Sequence, residues 1–207
     1  RPPRRRPPTA SPWLVGVVAL AVSASADAAN FAWPGAAPCN GTLQACIDGV
    51  GTDDRIRVGS EGPIDQDLNI ARSLRLEARP GYRPRLAAGR RITAAGNGAQ
   101  ALDLRLRGFV LDSGNVEITR NRAGATTLSL QDLEINTAPG REGLRISTSG
   151  SGVLNLTIEN LAIAVDGMAG TDPRAALRLA HGSSGLLDGV VGFVHVGAAG
   201  LGAAATI

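Results

Sequence analysis

The sequence predicts an all-β solenoid, a parallel β-helix with three strands per turn and a short helix closing its first end. Three observations carry this. Apolar residues recur in one eight-residue template: Leu104, Leu106, Phe109, Leu111; Leu128, Leu130, Leu133, Ile135; Leu156, Ile158, Leu161, Ile163; and, lacking the first position, Val191, Val194, Val196. Each template is two period-2 strands sharing a two-residue corner, and it returns every 24 to 33 residues, the mark of stacked β coils. A third period-2 piece follows three of them, at Val116 and Ile118, Leu144 and Ile146, and Leu177 and Leu179.

The elements follow in order. Residues 1–28 read as a secretory signal peptide, with an Arg-rich start, an apolar run from Trp13 to Val22 and small residues at Ala26 and Ala28. That run is about half of the ~20 residues a membrane-spanning helix needs. Residues 29–41 read as a loose lead-in. Leu43, Cys46, Ile47 and Val50 then give the i, i+3, i+4, i+7 spacing of one helix face, with Thr42 as N-cap, so 42–50 is a capping helix. A solenoid needs such a cap because its first layer otherwise exposes apolar side chains to water. Cys39 and Cys46 are the only cysteines, and in an exported chain they read as a disulfide that pins the cap.

Residues 51–207 are read as coils. Arg55–Val58, Leu68–Ile70 with Leu74–Leu76, and Arg91–Thr93 are strand-like; the first of these turns has an extra residue at its corner, and the regular coils begin at Leu102. The last residues, AGLGAAATI, are apolar and end in mid-coil, so the reading expects the solenoid to continue past Ile207.

Charge narrows the partners. Taking away residues 1–28 removes Arg1, Arg4, Arg5, Arg6 and Asp27, so 21 basic and 18 acidic residues become 17 of each. A neutral chain lacks the electrostatic footprint of a nucleic-acid binder. One stretch departs from neutrality: Arg72, Arg75, Arg79, Arg83, Arg85, Arg90 and Arg91 stand against the single acid Glu77.

The stretch CNGTLQACIDGVGTDDRIRVGSEGPIDQDLNIARSLRLEARPGYRP, followed by the L-x-L-x-x-L-x-I coils, resembles the secreted right-handed parallel β-helix proteins of the pectin-lyase-like superfamily. The resemblance covers roughly residues 39–198. It implies the right-handed fold and an extracellular or cell-surface setting, and it leaves the activity open, because lyases, hydrolases, adhesins and passenger domains share that fold.

Two patterns were candidates for chemistry. The pectin-hydrolysing branch carries N-T-D, D-D and G-H-G; here Asn136-Thr137-Ala138, Glu159-Asn160 and Ala180-His181-Gly182 fall at comparable separations. Ala138 and Asn160 stand where carboxylates are required, which removes the acid and base pair. Glu159-Asn160 also sits at the same corner as Arg107-Gly108, Gln131-Asp132 and Gly192-Phe193. The second pattern is an outward column in the third strand, Glu117, Arg145 and Arg178, with His181 just beyond, which suits an anionic ligand such as an acidic sugar. His195 alternates with Val194 and Val196 and is read as solvated, while Asp166-Gly167 and Asp172-Pro173 read as turns in the longest insertion. Neither a metal nor a cofactor is implied. The expected function is an exported scaffold, adhesin-like or passenger-like, whose partner is an extracellular polysaccharide or cell-surface component. The alternative is a lyase or hydrolase of acidic polysaccharide with catalytic residues partly outside this sequence.

Overall fold

The computed structural model describes residues 28–96, 100–121, 124–138, 141–165, 176–182, 186–192, 194–198 and 205–206. The expected signal peptide lies almost wholly outside these residues, as do Asp166, Gly167, Asp172, Pro173 and Phe193.

The chain opens with β1 (Asn30–Trp33) and α1 (Leu43–Gly49). The first turn is β2 (Arg55–Val58), Ile64 and β3 (Leu68–Ile70); the second is β4 (Leu74–Ala78), β5 (Arg85–Leu86) and β6 (Arg91–Gly96). A third turn comprises β7 (Leu102–Arg107), β8 (Val110–Asp112) and β9 (Asn115–Asn121). In the next two turns the first and second strands merge: β10 (Thr126–Thr137) leads to β11 (Leu144–Ser149), and β12 (Leu154–Val165) leads to β13 (Leu177–Gly182). The last turn is β14 (Leu187–Val191), β15 (Val194–Ala198) and β16 (Ala205–Thr206).

Every pairing between these strands is parallel and joins one turn to the next. Three sheets result. The first runs β1-β2-β4-β7-β10-β12-β14, the second follows β5, β8, the later halves of β10 and β12, and β15, and the third runs β3-β6-β9-β11-β13-β16. This is a parallel β-solenoid, as the period-2 templates predict.

The register stacks like on like inside the prism. Ile56, Leu76, Leu106, Leu130, Ile158 and Val191 form one inward column. Leu86, Leu111, Ile135 and Ile163 form another. These side chains are almost wholly buried as far as Ile158 and Ile163, whereas Val191 is 48% exposed. Removing this apolar surface from water drives assembly, and no turn can do it alone, because each covers the layer of its neighbour.

The cap forms as the sequence predicts. Thr42 accepts a hydrogen bond from the Ala45 N–H, and Leu43, Cys46 and Ile47 are buried against the first layer. Cys39 and Cys46 are joined in a disulfide. Gln44 explains why the cap fits: its side-chain amide accepts from the N–H of Asn69 and donates to the carbonyl of Asn69, as a neighbouring strand would. The free edge of β3 is thereby closed by one side chain. The expected loose lead-in is corrected in part. Asn30–Trp33 is a strand, in register with β2 from Asn30 opposite Arg55 to Trp33 opposite Val58, and it closes the first sheet's edge. Buried Asp54 ties it down by accepting from the N–H groups of Ala29 and Gly51.

Candidate functional site

Outward residues of the first sheet bring several arginines together. Strand register sets Arg55, Arg75 and Arg105 in one column and Arg57, Glu77, Arg107, Gln131 and Glu159 in the next. Neighbours in such a column are about 4.8 Å apart along the solenoid. Between β4 and β5 the connection at residues 79–84 stands beside these columns and forms one wall of a groove of about 830 Å³. Arg55, Arg57, Arg79, Tyr82, Arg83, Arg107, Glu77, Asp132 and Asn160 line it.

The groove's charges are only partly matched. Arg55 pairs with Glu77 at 3.3 Å, Arg107 with Asp132 at 3.0 Å and Arg83 with Glu134 at 2.9 Å. Arg79 stacks over the Tyr82 ring, 5.8 Å from its centre. Among the described residues Arg57, Arg75 and Arg79 have no carboxylate partner. In the first column Arg105 also has an acid near it, Asp103 at 3.9 Å, so the unmatched guanidinium groups are spread over both columns and the connection; there they present planar, paired donors to an anion.

The third-sheet column has the predicted alignment and a different charge balance. Glu117, Arg145 and Arg178 are in register on successive turns. Glu142, from the connection before β11, reaches both arginines, at 3.7 Å from Arg145 and 3.3 Å from Arg178, while Glu117 lies 3.9 Å from Arg145. Two cations thus face two carboxylates. His181 does not join them, because an odd step from Arg178 puts it on the opposite side of β13. There its Nδ1 lies 2.7 Å from the Thr148 hydroxyl.

The corner residues share one backbone conformation. Gly108, Asp132 and Asn160 all have positive φ, at 81°, 54° and 52°, and occupy equivalent corners of three turns. Asn160 donates to Asp132 Oδ1 at 2.9 Å, and Arg107 donates to Asp132 Oδ2 at 3.0 Å. Hydrogen bonding from Asn160 and then Arg107 holds the Asp132 carboxyl below the ordinary carboxylate range, against the opposing effect of burial. Asn136 donates to Asp112 at 3.3 Å. His195 lies in β15 opposite Ala162; its side chain is outside the described set. No group of three or more His, Cys, Asp or Glu among the described residues is arranged to hold a metal ion. No helix among them is long and apolar enough to cross a membrane.

One buried charged residue carries no motif signal in the sequence. Arg120 continues the inward series Val116, Ile118 and is only 4% exposed. The period-2 rule, carried one step further along β9, assigns it to the interior.

Comparison of the chain with protein-family models, with curated proteins and with solved structures returned no match.

Proposed function

We propose that this chain is an exported, adhesin-like or passenger-like scaffold of the pectin-lyase-like type that binds an extended acidic polysaccharide along its first sheet. The observation that carries the reading is the stack of Arg55, Arg75 and Arg105 beside a groove in which Arg57 and Arg79 have no acidic partner. A polymer with a carboxylate on each sugar matches a ladder of cations better than a compact ligand does, and Tyr82 adds a flat apolar face. The reading moves the expected binding site from the third sheet, where Glu142 offsets the arginines, to the first.

The test is binding of polygalacturonate and of neutral dextran to the protein and to an Arg57→Gln, Arg75→Gln, Arg79→Gln variant. Exposed ion pairs are worth about 0.2–1 kcal/mol each, so losing three weakens polygalacturonate binding roughly tenfold, and added salt weakens it in the parent protein. Equal binding of dextran, or an unaffected variant with an unchanged melting midpoint, overturns the reading. The alternative lyase reading predicts accumulation of unsaturated sugar ends in the same mixture.

A further inference from the structure

We propose that a recess at one corner of the solenoid holds a small inorganic anion, a halide or simple oxyanion, against the buried guanidinium of Arg120. Strand register places Gly96, Arg120, Thr148 and His181 in one inward column of the third sheet, beside a core made mostly of apolar side chains. Arg120 is 4% exposed, and no carboxylate among the described residues pairs with it. Its Nη2 donates to the carbonyl of Gln100, while its Nε, fully enclosed, has no acceptor. A buried guanidinium stays charged over any ordinary pH, so the interior carries a positive charge that the described side chains leave uncompensated.

The room for a counter-ion is there. A cavity of about 110 Å³ adjoins Arg120 and is also lined by Arg72, Ser73, Thr52, Gly96 and Gln100. One water molecule occupies roughly 30 Å³ of liquid, so the space suits a small anion with one or two waters and excludes a sugar. Two arginines and two hydroxyl side chains line it, and no acid does. Arg72 is held in place by donating to the carbonyl of Val50 at 2.6 Å. Gly96 completes the cradle: a Cβ at this position would run into Arg120 Nη1, so glycine leaves the guanidinium its place in the column.

The site is separate from the groove and its test is separate too. Thermal unfolding of the full chain is followed in sodium gluconate, whose anion is too large for the cavity, with chloride, bromide or phosphate exchanged in at constant ionic strength. A saturable rise is expected, about 5 °C or more at ~100 times the dissociation constant. It is lost in Arg120→Met and kept in the Arg57→Gln, Arg75→Gln, Arg79→Gln variant. Identical midpoints in chloride, bromide, phosphate and gluconate overturn the proposal, as does an undiminished rise in Arg120→Met. Should Arg120→Met fail to fold, crystals of the parent protein soaked in bromide decide: anomalous density beside the Arg120 guanidinium supports the site, and a cavity without it at saturating bromide rejects it.

Discussion

At Gly108, Asp132 and Asn160 the backbone turns from the first sheet to the second in the left-handed region, which ordinary side chains avoid. Glycine adopts it freely, and Asn and Asp tolerate it best among the rest. A Cβ at Gly108 would lie 2.6 Å from the Ala78 Cβ, so Gly108→Ala combines strain with a clash and lowers stability by about 1–3 kcal/mol, read from the denaturant midpoint. Asp132 makes a second prediction. Its folded-state carboxyl is held low by Asn160 and Arg107, so its contribution is complete above the unfolded carboxylate value near ~4 and is lost as pH falls through the lower folded value. Asp132→Asn keeps the backbone tolerance and removes the charge. Urea midpoints measured from neutral pH into acid therefore fall less steeply in Asp132→Asn than in the parent, and parallel slopes would deny the carboxylate this role. Sequence periodicity located these corners because the two-residue interruption repeats. It gave no sign that Asn160 and Asp132 bond to each other, since that depends on the rise between turns.

Helix α1 shows what pattern reading recovers in an element and what it misses. Its apolar face, N-cap and disulfide were legible, because each is a local signal within a few residues. Gln44's task was not, since it concerns the edge of β3, 25 residues away in sequence. The strand at Asn30–Trp33 was hidden for the same reason: four residues, NFAW, carry too little alternation to stand out, and pairing with β2 is what makes them a strand. Gln44→Ala leaves Asn69 N–H and C=O without their side-chain partner at the sheet edge. The expected cost is about 1–2 kcal/mol, with faster hydrogen exchange at the Asn69 amide and little change at β9. Unaltered exchange at Asn69 would show that the edge is closed by the helix body alone.

Along the whole molecule the two faces of each strand follow different rules, and this decides how much of a site the sequence discloses. Inward positions repeat because every turn must match its neighbours, so the core columns were readable from the recurrence of Leu, Ile, Val and Phe. Outward positions have no such constraint. The basic stretch at residues 72–91 was visible, yet its junction with Arg55, Arg57 and Arg107 in one groove comes from the parallel register between turns. The same stacking makes stability depend on position along the axis. Leu130 is fully buried between Leu106 and Ile158, whereas Leu187 in β14 is 46% exposed on the last described layer of the first sheet. Leu130→Ala should therefore cost about 3–4 kcal/mol, as a cavity in a closed core does, and Leu187→Ala less than about 1 kcal/mol. Native-state hydrogen exchange should follow the same gradient, slowest in β7 and β10 and faster toward β14. Equal costs for the two substitutions, with uniform protection from β2 to β14, would mean that the prism unfolds as one block and that its turns do not act as separable layers.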